Sequence, residues 1–231
     1  MMAQTGFFAD YGWEMLRSGA EHMVLTVTAM LIACAVAIPL GVLLTRCRSR
    51  MVANTAMGLV SIIQPIPSLA LVALTVVLFY LINELLGVRV LATLGTAPAL
   101  VALVAYALLP ILRNTYTGIR QVDPTVVEVA TGMGMTPRQI LFLVQLPLAL
   151  PVIMAGVRIS TVWTVGVATL VSLVGAGGLG DLIFRGLSNY NVRLILAGAA
   201  PAALLALVLD WLLARLEDWL TPSGLDTTQG T

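Results

Sequence analysis

The sequence predicts an all-α integral membrane protein with about five transmembrane helices and a two-helix loop on the cytoplasmic side. Of its 231 residues, 59% are hydrophobic and 10% are charged, whereas a soluble domain carries about 25% charged residues. So little charge cannot cover a surface that faces water, and the uncharged runs are long enough to cross a bilayer. One stretch, residues 123–151, instead combines helix-start signals with a glycine-rich joint and so predicts the loop.

Residues 1–22 precede the first long uncharged run. This segment lacks the basic region, apolar run and small-residue cleavage site of a signal peptide. Its charged side chains are interspersed with Trp13 and other aromatic residues, which favours an external amphipathic segment at the membrane interface. Residues 23–45 form the first predicted span, with His22 marking its edge. Three arginines follow and indicate that this end faces the cytoplasm: Arg46, Arg48 and Arg50.

The uncharged run at 51–83 is too long for one straight span and too short for two. Two prolines near its middle lack backbone donors and disfavour helix just before them, so we predict a kinked lead-in and one crossing from about residue 68 to 83. A broken helix in a membrane needs protein or a water-filled cavity to cover the freed backbone groups. The break therefore either lines a translocation path or is an ordinary proline kink. The candidate path residues here are Gln64, Pro65, Pro67 and Ser68.

Residues 90–112 form the third predicted span, after an external loop flanked by Glu84 and Arg89. Arg113 then marks a cytoplasmic end. Because the first arginine cluster and the two-helix loop must face the same side, the chain between them has to cross the membrane an even number of times. The second and third predicted spans satisfy that condition.

The two-helix loop begins at Asp123, which can cap a helix that opens with Pro124. Apolar residues recur along this helix at a spacing of three to four. Gly132-Met133-Gly134 is expected to end it. The first half of the loop is therefore predicted to be a short, capped helix followed by a flexible joint.

A second helix restarts at Thr136 and Pro137, with Gln139 three residues past the cap as a capping box requires. We expect it to break at Pro147 and Pro151. Local physics leaves two interpretations, a compact knob that docks into a partner's groove or a plain surface loop between spans. The side chains expected on its exposed face are Ile140, Leu141, Leu143 and Val144.

Residues 150–174 form the fourth predicted span, which contains Arg158. An arginine inside a span is costly and faces protein or a water-filled cavity. We favour snorkelling of Arg158 to the cytoplasmic interface, with pairing to a carboxylate such as Asp210 as the alternative. Trp163, in the same span, is a candidate path residue, with helix packing as the competing interpretation.

The glycines at 175–181 lack the Lys-Ser/Thr pair of a nucleotide loop. They indicate flexible backbone at an outer mouth, followed by a short helix at 182–187. Residues 194–213 form the last predicted span, and residues 219–231 a polar cytoplasmic tail. The arginine bias predicts five spans with the N-terminus outside and the C-terminus in the cytoplasm. Expected inside are Arg46, Arg48, Arg50, Arg113, Arg120, Arg138 and Arg215, and expected outside are Arg17, Arg89, Arg185 and Arg193.

The two-helix loop also carries a long motif. Glu128-Val129-Ala130 is followed by Gly134 and then by Val144-Gln145-Leu146-Pro147. This pattern resembles the EAA loop of ABC-importer permease subunits, with valine in place of one alanine and one isoleucine. The resemblance implies a type I ABC-importer permease whose coupling loop, residues 123–147, sits in a cleft of a cytoplasmic ATPase. The residues it assigns to ATPase coupling are Glu128, Ala130, Gly132, Gly134, Thr136, Pro137, Val144, Leu146 and Pro147.

Four further segments, at 64–74, 106–124, 132–139 and 174–181, resemble permeases of osmoprotectant importers. Those importers carry quaternary amines such as glycine betaine, carnitine and choline. The resemblance implies a bacterial inner-membrane protein with a permease domain over about residues 23–218. It also implies a second permease subunit, identical or paralogous, a pair of ATPase subunits and a separate external binding protein.

The residues themselves exclude several function classes. We find no Walker sequence, metal-ligand constellation or nucleophile–base arrangement, so the chain is not expected to be an enzyme or to bind a cofactor, and ATP hydrolysis is expected on a partner subunit. A net charge of +1 gives no reason to expect nucleic-acid binding. The alternatives that remain are an amino-acid or methionine ABC-importer permease, an ATP-independent secondary transporter, and a membrane scaffold.

Overall fold

The computed structural model describes residues 7–47, 49–88 and 90–221. Over these ranges the regular structure is helical, and five helices are long and apolar enough to cross a membrane. This confirms the predicted all-α class and the five spans. Arg48, Arg89 and the end of the predicted tail, residues 222–231, lie outside the described residues.

The five spans are α1 (Phe7–Arg46), α3 (Ser68–Leu86), α4 (Thr96–Arg120), a continuous rod formed by α6 (Pro137–Ile140) and α7 (Leu146–Leu170), and α9 (Val192–Leu220). Within the rod a π-helical turn joins α6 to α7, and a short 3-10 turn follows α7. The predicted short helix at 182–187 is confirmed within α8. In chain order the elements are α1 (Phe7–Arg46), α2 (Arg50–Ser61), α3 (Ser68–Leu86), α4 (Thr96–Arg120), α5 (Pro124–Gly132), α6 (Pro137–Ile140), the π turn (Leu141–Gln145), α7 (Leu146–Leu170), the 3-10 turn (Val171–Val174), α8 (Leu179–Ser188) and α9 (Val192–Leu220).

The helix ends gather at two opposite ends of the bundle. At the coupling end, defined by α5 and α6, the Arg46 guanidinium at the end of α1 donates to the side-chain oxygen of Gln145 in the π turn. The opposite end, away from the two-helix loop, carries α8 and the connections on either side of it, and we call it the loop end. There the Gly95 amide donates to the Val174 carbonyl over 2.7 Å. Since α3 and α4 both span between α1 and α5, the predicted even number of crossings is confirmed.

Helix α1 is continuous from the loop end to the coupling end, so the predicted span boundary at residue 23 is not a helix boundary. His22 is fully buried rather than at the edge of a span, and its Nε2 lies 3.1 Å from the Val165 carbonyl oxygen. The Glu21 carboxylate accepts a hydrogen bond from the Gly178 amide over 3.2 Å. These contacts to the α7–α8 region hold the polar N-terminal part of α1 against the bundle and explain its continuity.

Helix α4 is shifted along the chain relative to the predicted span at 90–112, because the residues before it are held in a turn. The Asn83 side-chain amide makes two hydrogen bonds to the Leu91 backbone: its nitrogen donates to the Leu91 carbonyl over 2.7 Å, and its oxygen accepts from the Leu91 amide over 2.9 Å. Gly95 then caps the helix with φ +90°, a conformation that favours glycine. At the other end the helix runs past Arg113 to Arg120, where it reaches the coupling end.

The core lies around α4, which packs mainly against α1 and α7. Small residues let these helices approach closely, as is usual between membrane helices. At Gly156 an added Cβ would lie 2.7 Å from the Asn114 Cβ and 2.8 Å from the Pro110 carbonyl oxygen. This packing fixes α7, and with it Arg158 and Trp163, relative to α4.

Candidate functional site

The two-helix loop has the local structure that its sequence predicts. The Asp123 carboxylate accepts a hydrogen bond from the Thr125 amide over 2.8 Å, and Pro124 occupies the first turn, where its missing N–H is not needed. Helix α5 ends at Gly132, and Gly134 follows with φ +81°. The Gly134 backbone therefore makes the bend that turns the chain from α5 toward α6.

Helix α6 starts with the predicted capping box. The Gln139 side-chain oxygen accepts from the Thr136 amide over 2.8 Å, and the Thr136 hydroxyl oxygen accepts from the Gln139 amide over 3.4 Å. Pro137 stands in the first turn. The two caps, one on each side of Gly134, give the loop a defined elbow, which we call the coupling elbow (residues 123–147).

The predicted helix break at Pro147 and Pro151 is wrong. Helix α6 passes through the π turn directly into α7, and both prolines lie inside the continuous rod. A proline ring clashes with the carbonyl four residues earlier, which for Pro147 is Leu143 in the π turn. The extra residue of a π turn opens the helix at that point. Helix α6 is therefore continuous with a membrane span.

The coupling elbow exposes several large apolar side chains among its polar ones. Met133 is 77% exposed, and Phe142 and Leu143 are also exposed, whereas Ile140 and Leu141 are buried, contrary to expectation. Exposed apolar side chains that lie near one another are typical of a docking surface; here Met133 follows α5, and Phe142 and Leu143 lie in the π turn. Of the residues assigned to coupling, Ala130 is buried, and the other eight are exposed or half-buried: Glu128, Gly132, Gly134, Thr136, Pro137, Val144, Leu146 and Pro147.

The five candidate path residues, chosen from segments far apart in the sequence, line one cavity of about 390 Å³. The proline-containing turn between α2 and α3 supplies three of them, Ser68 at the start of α3 is the fourth, and Trp163 of α7 is the fifth. The hydroxyl of Tyr106 on α4 donates to the Ile66 carbonyl and so covers a backbone group that the break leaves free. The five candidate path residues that line this cavity are Gln64, Pro65, Pro67, Ser68 and Trp163.

Arg158 pairs with two carboxylates of α9, which is the alternative interpretation rather than the favoured one. Its Nε and Nη2 donate to the two carboxylate oxygens of Asp210 over 2.9 and 3.2 Å, and its Nη1 donates to Glu217 over 3.3 Å. The alternative pairing with Asp210 is therefore correct. Sequence reasoning missed Glu217, which lies two turns after Asp210 on the same face of α9, a spacing that could have indicated it.

Comparison with known families decides the identity of the chain. Residues 37–222 match the family described as "Binding-protein-dependent transport system inner membrane component". The chain belongs to this family. It is thus a transport permease, as the resemblance of its motif implied.

Curated relatives match the permease over nearly its whole length. The choline transport system permease protein OpuBB of Bacillus subtilis is 48% identical, with 95% of this chain and 94% of the relative covered. The carnitine transport permease protein OpuCB of Listeria monocytogenes is 45% identical, with 97% and 96% covered. A solved inward-facing structure of the MetNI methionine ABC transporter superposes with a TM-score of 0.79 at 23% identity, covering 96% of this chain and all of that one, which shows a shared fold.

The loop end of the permease is held by an ion pair between α1 and α8, next to a second ion pair within α8. Arg185 lies 2.5 Å from Glu14 and 3.6 Å from Asp181. The pKa of Arg185 is raised, chiefly by its hydrogen bond to Glu14, so the guanidinium stays charged at every physiological pH. These contacts join the start of the first span to the short helix before the last one.

Proposed function

We propose that the permease is the membrane-spanning subunit of an ATP-driven, binding-protein-dependent importer of quaternary-amine osmoprotectants, such as glycine betaine, choline or carnitine. The observation that carries this proposal is the identity of 48% and 45%, over nearly full length, to permeases named for choline and carnitine transport. Its partners are a pair of ABC ATPase subunits, a second permease subunit, an external binding protein and the lipid bilayer.

The coupling elbow is the part that receives work from the ATPase. Met133, Phe142 and Leu143 present exposed apolar surface suited to a cleft on that partner. Closure of the ATPase pair pushes α6, and the continuous rod transmits the push to α7. The hydrogen bond from Arg46 to Gln145 transmits the same movement to the end of α1. The spans then re-tilt between inward-open and outward-open states, which is alternating access.

We assign the coupling end to the cytoplasm, the N-terminus to the outside and residues 23–218 to the permease domain. The arginines of the described residues support this orientation, because Arg46, Arg113, Arg120 and Arg138 lie on elements that end or turn at the coupling end. The substrate path then runs past the cavity lined by Trp163 and the proline-containing turn.

The described residues hold no group of three or more His, Cys, Asp or Glu side chains placed to bind a metal.

Reconstitution tests the proposal directly. The permease co-expressed with its ATPase should co-purify with it and, in proteoliposomes with the binding protein, drive ATP-dependent uptake of radiolabelled choline or glycine betaine. Excess unlabelled carnitine should reduce this uptake, and excess methionine should not. Uptake that methionine abolishes, or uptake that persists without ATP, would contradict the proposal in favour of an amino-acid permease or a secondary transporter.

Accessibility of the elbow tests the orientation. In a variant with Cys34→Ala and Cys47→Ser, a cysteine at Met133, which is 77% exposed, should react with an impermeant maleimide only after the cells are opened. The matched control is Asn189→Cys, an exposed position beside α8 at the loop end, which should react in intact cells. Labelling of the Met133→Cys variant from outside would exclude contact between the elbow and a cytoplasmic ATPase.

A further inference from the structure

The ion-pair cluster around Arg158 is not electrically balanced. One guanidinium faces two carboxylates, Asp210 and Glu217, at 2.9 to 3.3 Å, so these three side chains carry one excess negative charge. The next cation along α9, Arg215, lies over the Trp211 ring at 5.4 Å instead. An uncompensated charge within a membrane span is costly, which makes such a cluster a place where a cation gains by binding.

A cavity of about 390 Å³ opens beside this cluster and includes the Asp210 carboxylate in its wall. Pockets for small molecules begin at about 300 Å³. Trp163 is 53% exposed and forms another part of the wall. The rest of the wall is formed by the Arg158 side chain, which is paired with Asp210, and by the aliphatic side chains of Ala155, Ile159 and Val162.

This lining matches one type of cation better than others. A primary ammonium ion needs several hydrogen-bond acceptors around its N–H groups, whereas a quaternary ammonium has none to satisfy. Its methyl groups suit aliphatic walls, and its charge suits an indole face together with a single carboxylate. A metal ion would require more oxygen ligands than the Asp210 carboxylate offers.

We propose that this cavity is a transient binding site for the quaternary ammonium group of the substrate, which lies between the Trp163 ring and the Asp210 carboxylate. This inference rests on the proposed function for the choice of substrate class. Trp163 also lines the cavity beside the proline-containing turn, so it is shared by both cavities. A quaternary amine that passes from one to the other keeps contact with the same aromatic ring.

The site is testable without the binding protein. The permease–ATPase complex in lipid nanodiscs should bind radiolabelled tetramethylammonium saturably. The uncharged choline isostere 3,3-dimethylbutan-1-ol should not displace it at matched concentration. Trp163→Leu, which keeps an apolar side chain but removes the ring, should weaken binding about tenfold, and Asp210→Asn should weaken it at least as much.

Two variants serve as matched controls. Asp218→Asn removes an exposed carboxylate from the same helix, and Trp13→Leu removes an exposed indole from α1. Both should bind tetramethylammonium within about twofold of the unaltered complex, since neither contacts the cavity. Trp163→Leu keeps the test valid if Asp210→Asn fails to fold.

Binding and uptake separate this inference from the proposed function. Saturable binding that falls in Trp163→Leu supports the site, whichever substrates the uptake assay identifies. Normal ATP-dependent choline uptake without saturable tetramethylammonium binding overturns the site and leaves the proposed function standing. Equal weakening by Trp13→Leu and Trp163→Leu also overturns it, because the loss would then not be specific to the cavity.

Discussion

Replacing Gly134 by valine is expected to reduce substrate uptake by about tenfold or more while the ATPase still hydrolyses ATP. Gly134 has φ +81°, and an added Cβ would meet nothing within 4 Å. The substitution therefore causes no clash and acts through the backbone alone. A β-branched residue at positive φ costs about 1 to 3 kcal/mol, enough to depopulate the bend between α5 and α6.

The measurement is the number of ATP molecules hydrolysed per substrate imported, in proteoliposomes with equal amounts of inserted permease. We expect this ratio to rise in Gly134→Val, because a displaced elbow no longer transmits ATPase closure to α7. Gly134→Asn is the matched control, since asparagine tolerates positive φ better than other residues with a Cβ. Normal uptake in Gly134→Val, or equal losses in both variants, would contradict a role for the bend in coupling.

The features that sequence reasoning predicted well depend on neighbours in the chain. The caps at Asp123 and at Thr136 with Gln139 need only residues two or three positions away. The spans follow from long uncharged runs, and the two-helix loop from its motif spacing. These signals are local, so they can be recognised in the sequence without knowledge of the tertiary structure.

The features that it missed depend on residues far apart in the sequence. The contact from Arg158 to Glu217 joins side chains 59 positions apart, and the buried position of His22 depends on Val165, 143 residues away. The continuity through Pro147 depends on a π turn that no residue pattern specifies. Helix packing brings these groups together, and the spacing along one helix does not show which residue of another helix it meets.

Replacing Arg158 by leucine should lower the stability of the permease. It leaves Asp210 and Glu217 as two unpaired carboxylates on α9. Breaking a buried ion pair costs about 3 to 5 kcal/mol. Here the Asp210 and Glu217 side chains are 38% and 21% exposed, so we expect about 2 kcal/mol, because the adjoining cavity screens part of the charge. The loss of stability is measured by thermal unfolding of the purified complex, with size-exclusion chromatography as the readout.

A neutral triple variant distinguishes lost pairing from lost packing. Arg158→Leu combined with Asp210→Asn and Glu217→Gln removes the unpaired charges, so it should recover most of the stability lost in Arg158→Leu alone. Arg185→Leu is the matched control at the loop end, where the side chains of the ion pairs are 39% to 53% exposed and the pairs are worth at most about 1 kcal/mol. A triple variant no more stable than Arg158→Leu would mean that the arginine stabilises α7 and α9 by packing. The unbalanced charge would then lie in a region that tolerates it, and the α7–α9 contact would depend on the aliphatic stem of the arginine rather than on its guanidinium.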